Sequence, residues 1–498
     1  MKIGLKITKK LVLFITGLIA LAGIVIAIVS WHGTVANKDI DYYFTGRTED
    51  GAILVKWQIP AKDATLKIIH MDSGEIPERI EKIEKVNGVG TYVFTGGIHG
   101  DSYIFKLQYV NYDGDEADKT FNQVFLYFDK LPALTTFFIE TEDGADPSYK
   151  HIRQDGMFGL TITDKNYKRA VLNDNIPVKI RVRGNSSTYG RKKSYKLVFD
   201  EQTDLLNMGE EYADQEWLLL GKLPLETYLG LQLGMHVGME WEPRVRFVNL
   251  MLNGQWRGMY VLCESIKKHP KRVALDQDGF LIESDGYFWN ENGIYFGSDM
   301  LSDIVKFTFK YPEITSTSDA RFIEIENWVR QIDDYINQHS HDIGDLIDFD
   351  TFTAWILAHE LMGTSDGFGS NMFFYRKNMA PASKLKMGPL WDFDSMFDND
   401  DDKHSAFWSY DSTYFPLLIN NPIFMNHYKN KYLAVVSSVE KNLRDDLEKL
   451  ANIPGFEESY NIERGNLRNP DFLKDTIDGL MMRLHNRITW LNSEMEKL

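Results

Sequence analysis

Cysteine is almost missing from this sequence: Cys263 is its only thiol in 498 residues. A single thiol excludes an intramolecular disulfide framework and a cysteine-rich zinc site. Basic residues are in deficit, 55 lysines and arginines against 72 acids, for a net charge of −17. General nucleic-acid binding needs a basic face to neutralise phosphates, so no nucleic-acid partner is expected. Internal repeats and low-complexity tracts are missing too. So are the phosphate-loop patterns G-x-x-x-x-G-K-[ST] and G-x-G-x-x-G, which excludes a Walker loop and a standard kinase glycine loop. His236, His269, His341, His359 and His427 form no metal-spaced pair, and His359-Glu360 precedes no second histidine, so a zinc protease is unsupported.

What is present is folded-protein composition, 43% hydrophobic and 13% aromatic, over a length that suggests two or three domains. Lys2, Lys6, Lys9 and Lys10 precede an uncharged apolar run from Leu11 to Trp31. About 20 such residues can span a bilayer, and no clear A-x-A cleavage site follows. The expectation is a cytoplasmic stub over 1–10 and a retained transmembrane signal anchor over 11–31. The remainder would then face outward from a bacterial membrane as a single-pass protein. Residues 40–130 alternate polar and apolar in short stretches such as "AILVKWQIP" and "DSYIFKLQYVNYDGDE", bounded by Gly, Asp and Pro. That period-2 pattern predicts a small antiparallel β-domain. After the boundary at "KLPALTTFFIETEDGADP", residues 131–498 mix strands with helices. Strands come early and helices late, which predicts an α+β domain with a helical C-terminal part.

Two stretches place acids in turn chemistry beside hydrophobic runs. "LMGTSDGFGSNMFFYRKN" carries Asp366 and, five residues on, Asn371, while "GPLWDFDSMF" carries Asp392 and Asp394 beside Leu390, Trp391 and Phe393. Asp and Asn are common turn residues, so the first stretch alone is compatible with loop chemistry. A carboxylate beside apolar neighbours needs a cation or strong donors to stay ionised. A hard divalent cation would serve, and so would an arginine or a loop cap; magnesium favours one or two carboxylates plus substrate phosphates and water. "IRVRGNSSTYGRKKSYKLVFD" runs strand, Gly/Ser loop, basic cluster, strand, and offers Arg183, Lys193 and Lys196 to phosphate oxygens. As a charge run by itself it would equally form a solvated face. The acidic run "FDNDDDKH" from Phe397 lacks the Gly and terminal Glu of an EF-hand and fits solvated surface.

Trp57 in an early strand, followed by "GGIHGDSYIFKLQYVNYDG", resembles a fibronectin type III module, with Tyr103 as its corner tyrosine. Five further motifs occur in an order that resembles the spore coat protein H (CotH) kinase family. They are "RVRGNSSTYGRKKSYKLVF", "VNLMLNGQWRGMYVLCESI", "GFLIES", "ELMGTSDGFGSNMFFY" and "GPLWDFDSMF", and the likeness spans roughly 132–432. It implies an atypical, minimised protein-kinase-like fold behind the β-sandwich, using ATP and Mg2+ to phosphorylate Ser/Thr of secreted, envelope or spore-coat proteins. By motif, Asp366 corresponds to the catalytic acid, Asn371 to its metal-binding partner and Asp392 to the magnesium acid, with Asp394 a further candidate. Arg183 and Lys196 fall in the nucleotide-facing loop and strand. Glu264 either lines the nucleotide pocket or satisfies a strand-end lysine. The sequence departs from the family at Leu220–Gly234, where an expected helix arginine is missing and Glu226 and Thr227 stand instead; Glu226 is the candidate helix acid to pair with Lys196. The rival reading is a catalytically silent surface or spore-envelope binding protein that keeps the fold.

Overall fold

In the computed structural model the chain forms two compact units, one running to Leu131 and taking in Gly254–Trp256, the other holding the rest from Pro132, each described by itself. The described residues are 42–47, 52–71, 79–98, 101–120, 125–126, 131–142, 144–163, 169–185, 188, 190, 192–290, 293–298, 304–364, 370–393, 395–397, 415–464 and 469–497.

The first unit holds β1 (Tyr42–Arg47), β2 (Ile53–Met71), β3 (Arg79–Phe94), β4 (Ser102–Val110), β5 (Glu116–Thr120) and β6 (Phe125–Leu126). All six are hydrogen-bonded into one sheet, β1-β2-β4-β5, with β3 on β2 and β6 on β4. The long β2 makes this possible: its first half pairs with β1 and its second half with β4. Between Gln58 and Asp63 its register against β3 shifts. The buried positions accordingly change phase, from Ile53, Val55, Trp57 and Ile59 to Ala64, Leu66 and Ile68, as a bulge dictates when side chains alternate faces. Among the described residues the hydrogen bonding thus joins these strands in one sheet around a bent β2, and the two sheets of a fibronectin-like sandwich are not specifically shown. Trp57 is buried and donates through Nε1 to the Asn87 carbonyl at 2.7 Å, and the Tyr103 hydroxyl accepts from the Ile98 amide at 2.8 Å.

The second unit opens with a closed barrel of β7 (Thr136–Thr141), β8 (Gln154–Thr163), β9 (Arg169–Arg183), β10 (Ser194–Thr203), β11 (Asp214–Leu220), β12 (Val245–Leu252) and β13 (Gln255–Glu264). The order is β10-β11-β13-β12-β7-β8-β9, with β12 parallel to β7. Alternate residues such as Ile180, Val182, Tyr195, Leu197, Trp217, Leu219 and Leu250 fill the interior. Their neighbours in sequence, Arg181, Arg183, Ser194, Lys196, Leu218 and Leu220, are thereby turned to the other face. A second sheet follows, β15-β16-β14-β17-β18, from β14 (Phe280–Asp285), β15 (Tyr295–Phe296), β16 (Lys306–Tyr311), β17 (Met372–Arg376) and β18 (Lys386–Met387).

Helices are α1 (Pro224–Val237), α2 (Ala320–Asn337), α3 (Ile343–Leu346), α4 (Phe349–Met362), α5 (Phe415–Ile419), α6 (Pro422–Leu450), α7 (Phe456–Glu463) and α8 (Phe472–Met495). α4 starts where the Asp348 side chain accepts from the Thr351 amide and stops at Gly363, whose φ of 56° is left-handed. Every residue of α4 from Thr351 to Met362 is buried, so this helix is the spine of the main core. Helices and strands are interleaved, with α1 inside the barrel segment. The expected sequence of strands early and helices late holds only for the helical C-terminal part.

The expected single-pass membrane placement does not stand. No helix among the described residues is long and apolar enough to cross a membrane, and the run 11–31 that prompted the expectation lies outside those residues.

Candidate active site

The polar face of the barrel is the first wall of a cavity of about 430 Å³. In register, Lys196 on β10 stands opposite Arg181 on β9 and Leu218 on β11, and Ser194 stands opposite Arg183. Arg181, Arg183, Ser194, Lys196, Leu218 and Leu220 all line the cavity, and Lys150 and Lys222 add two more cations. A cationic wall of this kind in a chain of net charge −17 concentrates anions in one place.

The second wall comes from β14, β16, the start of β17 and the loop before Phe393. β14 pairs with β17 through Glu283 to Phe373 and Ser284 to Met372, which brings Glu283 and Asp285 to the end of the sheet where Asn371 sits. Asn371, Asp392, Glu283, Asp285 and Lys310 line the cavity. Glu283 and Lys310 form an ion pair of 2.5 Å. Asn371 and Asp392 both carry left-handed backbone, with φ of 60° and 62°. Only Gly and, at some cost, Asn or Asp adopt that conformation routinely, and non-glycine outliers of this kind cluster at functional sites.

Charges answer one another across the gap. The half-buried Arg183 has its guanidinium pKa lowered by burial, and the Asp392 carboxylate is the leading influence that offsets it. Its guanidinium also lies 5.3 Å from the centre of the Trp391 ring, a cation–π contact next door to Asp392. The Lys196 ammonium is likewise pushed down by burial and held up by Glu216, whose carboxylate is 2.7 Å away.

Four residues singled out in the sequence, Arg183, Lys196, Asn371 and Asp392, thus line one cavity although about 200 residues separate the first pair from the second in the chain. Asp366 and Asp394 lie outside the described residues; Thr364 and Ser370 flank the first, and Ser370 lines the cavity. Two candidates sit elsewhere. Glu264 is fully buried, bonded to the Arg244 guanidinium through both oxygens at 2.7 Å and to Arg272 at 3.2 Å. It therefore neither lines the cavity nor pairs with a lysine. Glu226 does not line the cavity either, although its neighbour Thr227 does; its charge is felt at Tyr460 on α7. The expected Glu226–Lys196 pair is replaced by Glu216–Lys196.

Sequence reasoning passed over Glu216, Glu283, Asp285, Lys222 and Lys310. Alternation offered a signal for β14: Phe280 and Ile282 enter the main core, so Leu281, Glu283 and Asp285 share the opposite face. Nothing local distinguishes Glu216.

The donor set fits a nucleotide and a hard cation. Among the described residues no group of three or more histidines, cysteines or acids converges as a metal cage. Magnesium needs none, since one or two oxygen ligands suffice when phosphates and water complete its shell. The cavity falls within the range of small-molecule sites, and Leu218, Leu220, Leu231, Ile266 and Phe373 give it apolar surface for a base.

A barrel wall of cations thus faces an Asn–Asp pair across one cleft. The family profile described as "CotH kinase protein" matches residues 180–453, more than half of the sequence. The chain belongs to the CotH kinase family. Comparison with curated proteins gives no match. Among solved structures, the crystal structure of a Helicobacter pylori proinflammatory kinase, CtkA, is similar at 13% identity and a TM-score of 0.27, covering 60% of this chain and 95% of that one.

Proposed function

We propose that the second unit is an atypical protein kinase that transfers the γ-phosphoryl group of ATP to Ser or Thr hydroxyls of protein substrates. Secreted and envelope proteins are the substrate class to which the family points. The observation that carries this reading is the convergence of Arg183, Lys196, Asn371 and Asp392 on one cavity. Arg183 and Lys196 bind the phosphate tail, and the apolar lining takes the base. Asn371 and Asp392 would hold Mg2+, which when bound neutralises charge on the β- and γ-oxygens. Asp366 orients the acceptor hydroxyl and takes its proton as the hydroxyl oxygen attacks the γ-phosphorus. The bond from that phosphorus to the bridging oxygen breaks, and ADP leaves with the electron pair. The first unit, with Trp57 and Tyr103 in its core, serves as a fibronectin type III-like spacer.

The test is Asp366→Asn, assayed by phosphate transfer to casein and by calorimetry of ATP binding. Positioning and proton acceptance act in the transition state, so ATP affinity should hold while transfer falls by roughly 10²–10⁴-fold. Asn makes similar turn hydrogen bonds to Asp and tolerates the same backbone. Transfer within a factor of about two of wild type, far below a general base's contribution, would reduce Asp366 to loop chemistry and remove this mechanism.

A further inference from the structure

We infer that Glu216 is the positioning residue for Lys196: a carboxylate on a barrel strand holds the phosphate-facing ammonium, the task that protein kinases give to a helix glutamate. The inference deepens the phosphotransferase reading and rests on it.

The geometry comes from the β-ladder. Lys196 stands opposite Leu218 on β11, and Glu216 lies two residues along that strand, hence on the same face. The Nζ–Oε1 distance is 2.7 Å, with the two side chains 19% and 29% exposed. Lys196 lines the cavity and Glu216 does not, so the carboxylate grips the ammonium from outside the cleft without occupying the phosphate's place. The groups facing Lys196 are otherwise cationic: Arg181 on β9 and Arg153 just ahead of β8 both act against its charge, as does burial. A flexible lysine in such surroundings swings toward solvent or gives up its proton unless a counter-ion holds it. Glu216 supplies that counter-ion.

The helix cannot take over the task. Thr227 is the residue of the first turn of α1 that lines the cleft, and Glu226 bears on Tyr460 of α7 instead. α1 is also tied into the helical body. His236 near its end meets Asp446 of α6 at 2.7 Å, and Gly230 sits directly against Phe393. Lys196 is therefore set by strand register, which does not change with the tilt of a helix. The phosphate-binding lysine is built in place rather than switched by a helix swing.

The experiment compares the full chain with Lys196→Met, Glu216→Gln, Glu216→Asp and Glu226→Gln. It measures kcat and KM for ATP with casein, and Mg-ATP affinity by calorimetry from neutral to alkaline pH, after thermal unfolding has shown each variant folded. Lys196→Met and Glu216→Gln should each lose roughly 10- to 100-fold in kcat/KM for ATP, the scale of a charged hydrogen bond. In Glu216→Gln the alkaline limb of ATP affinity should move to lower pH, because the Lys196 ammonium loses the partner that sustains it. A merely structural glutamate would leave that limb in place. Glu226→Gln should match wild type. In the Lys196→Met background, Glu216→Gln should cost nothing further. Should Glu216→Gln unfold, Glu216→Asp carries the test, since its shortened carboxylate should give an intermediate loss and the same direction of pH shift. An unmoved limb with wild-type kcat/KM, or a fully additive double variant, overturns the inference while Lys196→Met still marks the site. Failure of the wild-type chain to bind Mg-ATP at all overturns the phosphotransferase reading itself, and this inference falls with it.

Discussion

The residue that concentrates most of the site's chemistry is Asp392. It is exposed to the cleft, holds a left-handed backbone, and is the charge that chiefly offsets the burial of Arg183. Asp392→Asn keeps a side chain that tolerates that backbone, and its neighbours Trp391 and Phe393 still supply the packing. The fold should therefore survive while the magnesium-dependent part of ATP binding is lost. At ATP about 100-fold above its dissociation constant, binding stabilises a protein by about 2.7 kcal/mol. Thermal shifts with ATP, with and without magnesium, should show that gain in wild type and only the magnesium-free response in Asp392→Asn. Equal magnesium-dependent stabilisation in both proteins would remove Asp392 from the metal site. Glu264 is the counter-example at this scale. A fully buried acid held by two arginines is structural, and its burial alone does not make it a ligand.

Among elements, the contact between α1 and the Asp392 loop decides the geometry. Gly230 leaves room on α1 for the Phe393 ring: a Cβ there would come within 2.4 Å of ring carbons. Phe393 also stacks near His359 of α4, with centroids 6.0 Å apart and planes 18° off parallel. The ring thus packs against residues of two helices. Gly230→Ala would gain about 1 kcal/mol in helix propensity but overpack the contact at roughly 1–3 kcal/mol. Because Phe393 follows Asp392 directly, relief of the clash moves the Asp392 loop. The variant should melt no higher than wild type and bind Mg-ATP more weakly, by calorimetry. A simple rise in melting temperature with unchanged ATP affinity would show that the loop does not depend on this contact.

Across the whole chain, two fully buried titratable groups give stability opposite dependences on pH. Burial holds the His359 imidazole neutral, with a pKa lowered to about 3. The unfolded histidine takes up a proton below its ordinary value of about 6.5, so its contribution is complete above that pH and declines as pH falls toward the folded value. The slope is about 1.4 kcal/mol per pH unit, or about 2 kcal/mol by pH 5. Burial also raises the Glu242 carboxyl well above its ordinary range, against the opposing hydrogen bond from the Leu390 amide. The unfolded glutamate ionises above about pH 4.3, so this contribution is complete below that value and is lost as pH rises. Urea midpoints across pH should show His359→Phe with a flatter acid limb than wild type. Glu242→Gln, which keeps a carbonyl for the Leu390 amide, should gain on wild type as pH rises. Parallel profiles for wild type and both variants would mean that neither group titrates on unfolding.

Features set by a few adjacent residues were legible from the sequence itself. The bounds of α4 follow from Asp348 and Gly363, because capping is local chemistry. Alternation exposed the buried faces of β2 and β10, Asn371 and Asp392 stood out as turn residues beside apolar runs, and Arg183 and Lys196 stood out as cations around a strand–loop–strand. Other features depended on which element lies opposite, and periodicity reports a face without naming its partner. Closure of the barrel needs β12 to lie parallel to β7, more than a hundred residues apart in the chain. The phase change within β2 joins strands that alternation alone would divide between two sheets. The ladder of β10 against β11 decides that Lys196 meets Glu216 and not Glu226, and the packing of Arg244 and Arg272 takes Glu264 out of the cleft. The sequence by itself determined which side chains are too polar for their surroundings. Tertiary structure decided what neutralises them, because a charge pairs with whatever strand register brings within about 3 Å, whatever the distance along the chain.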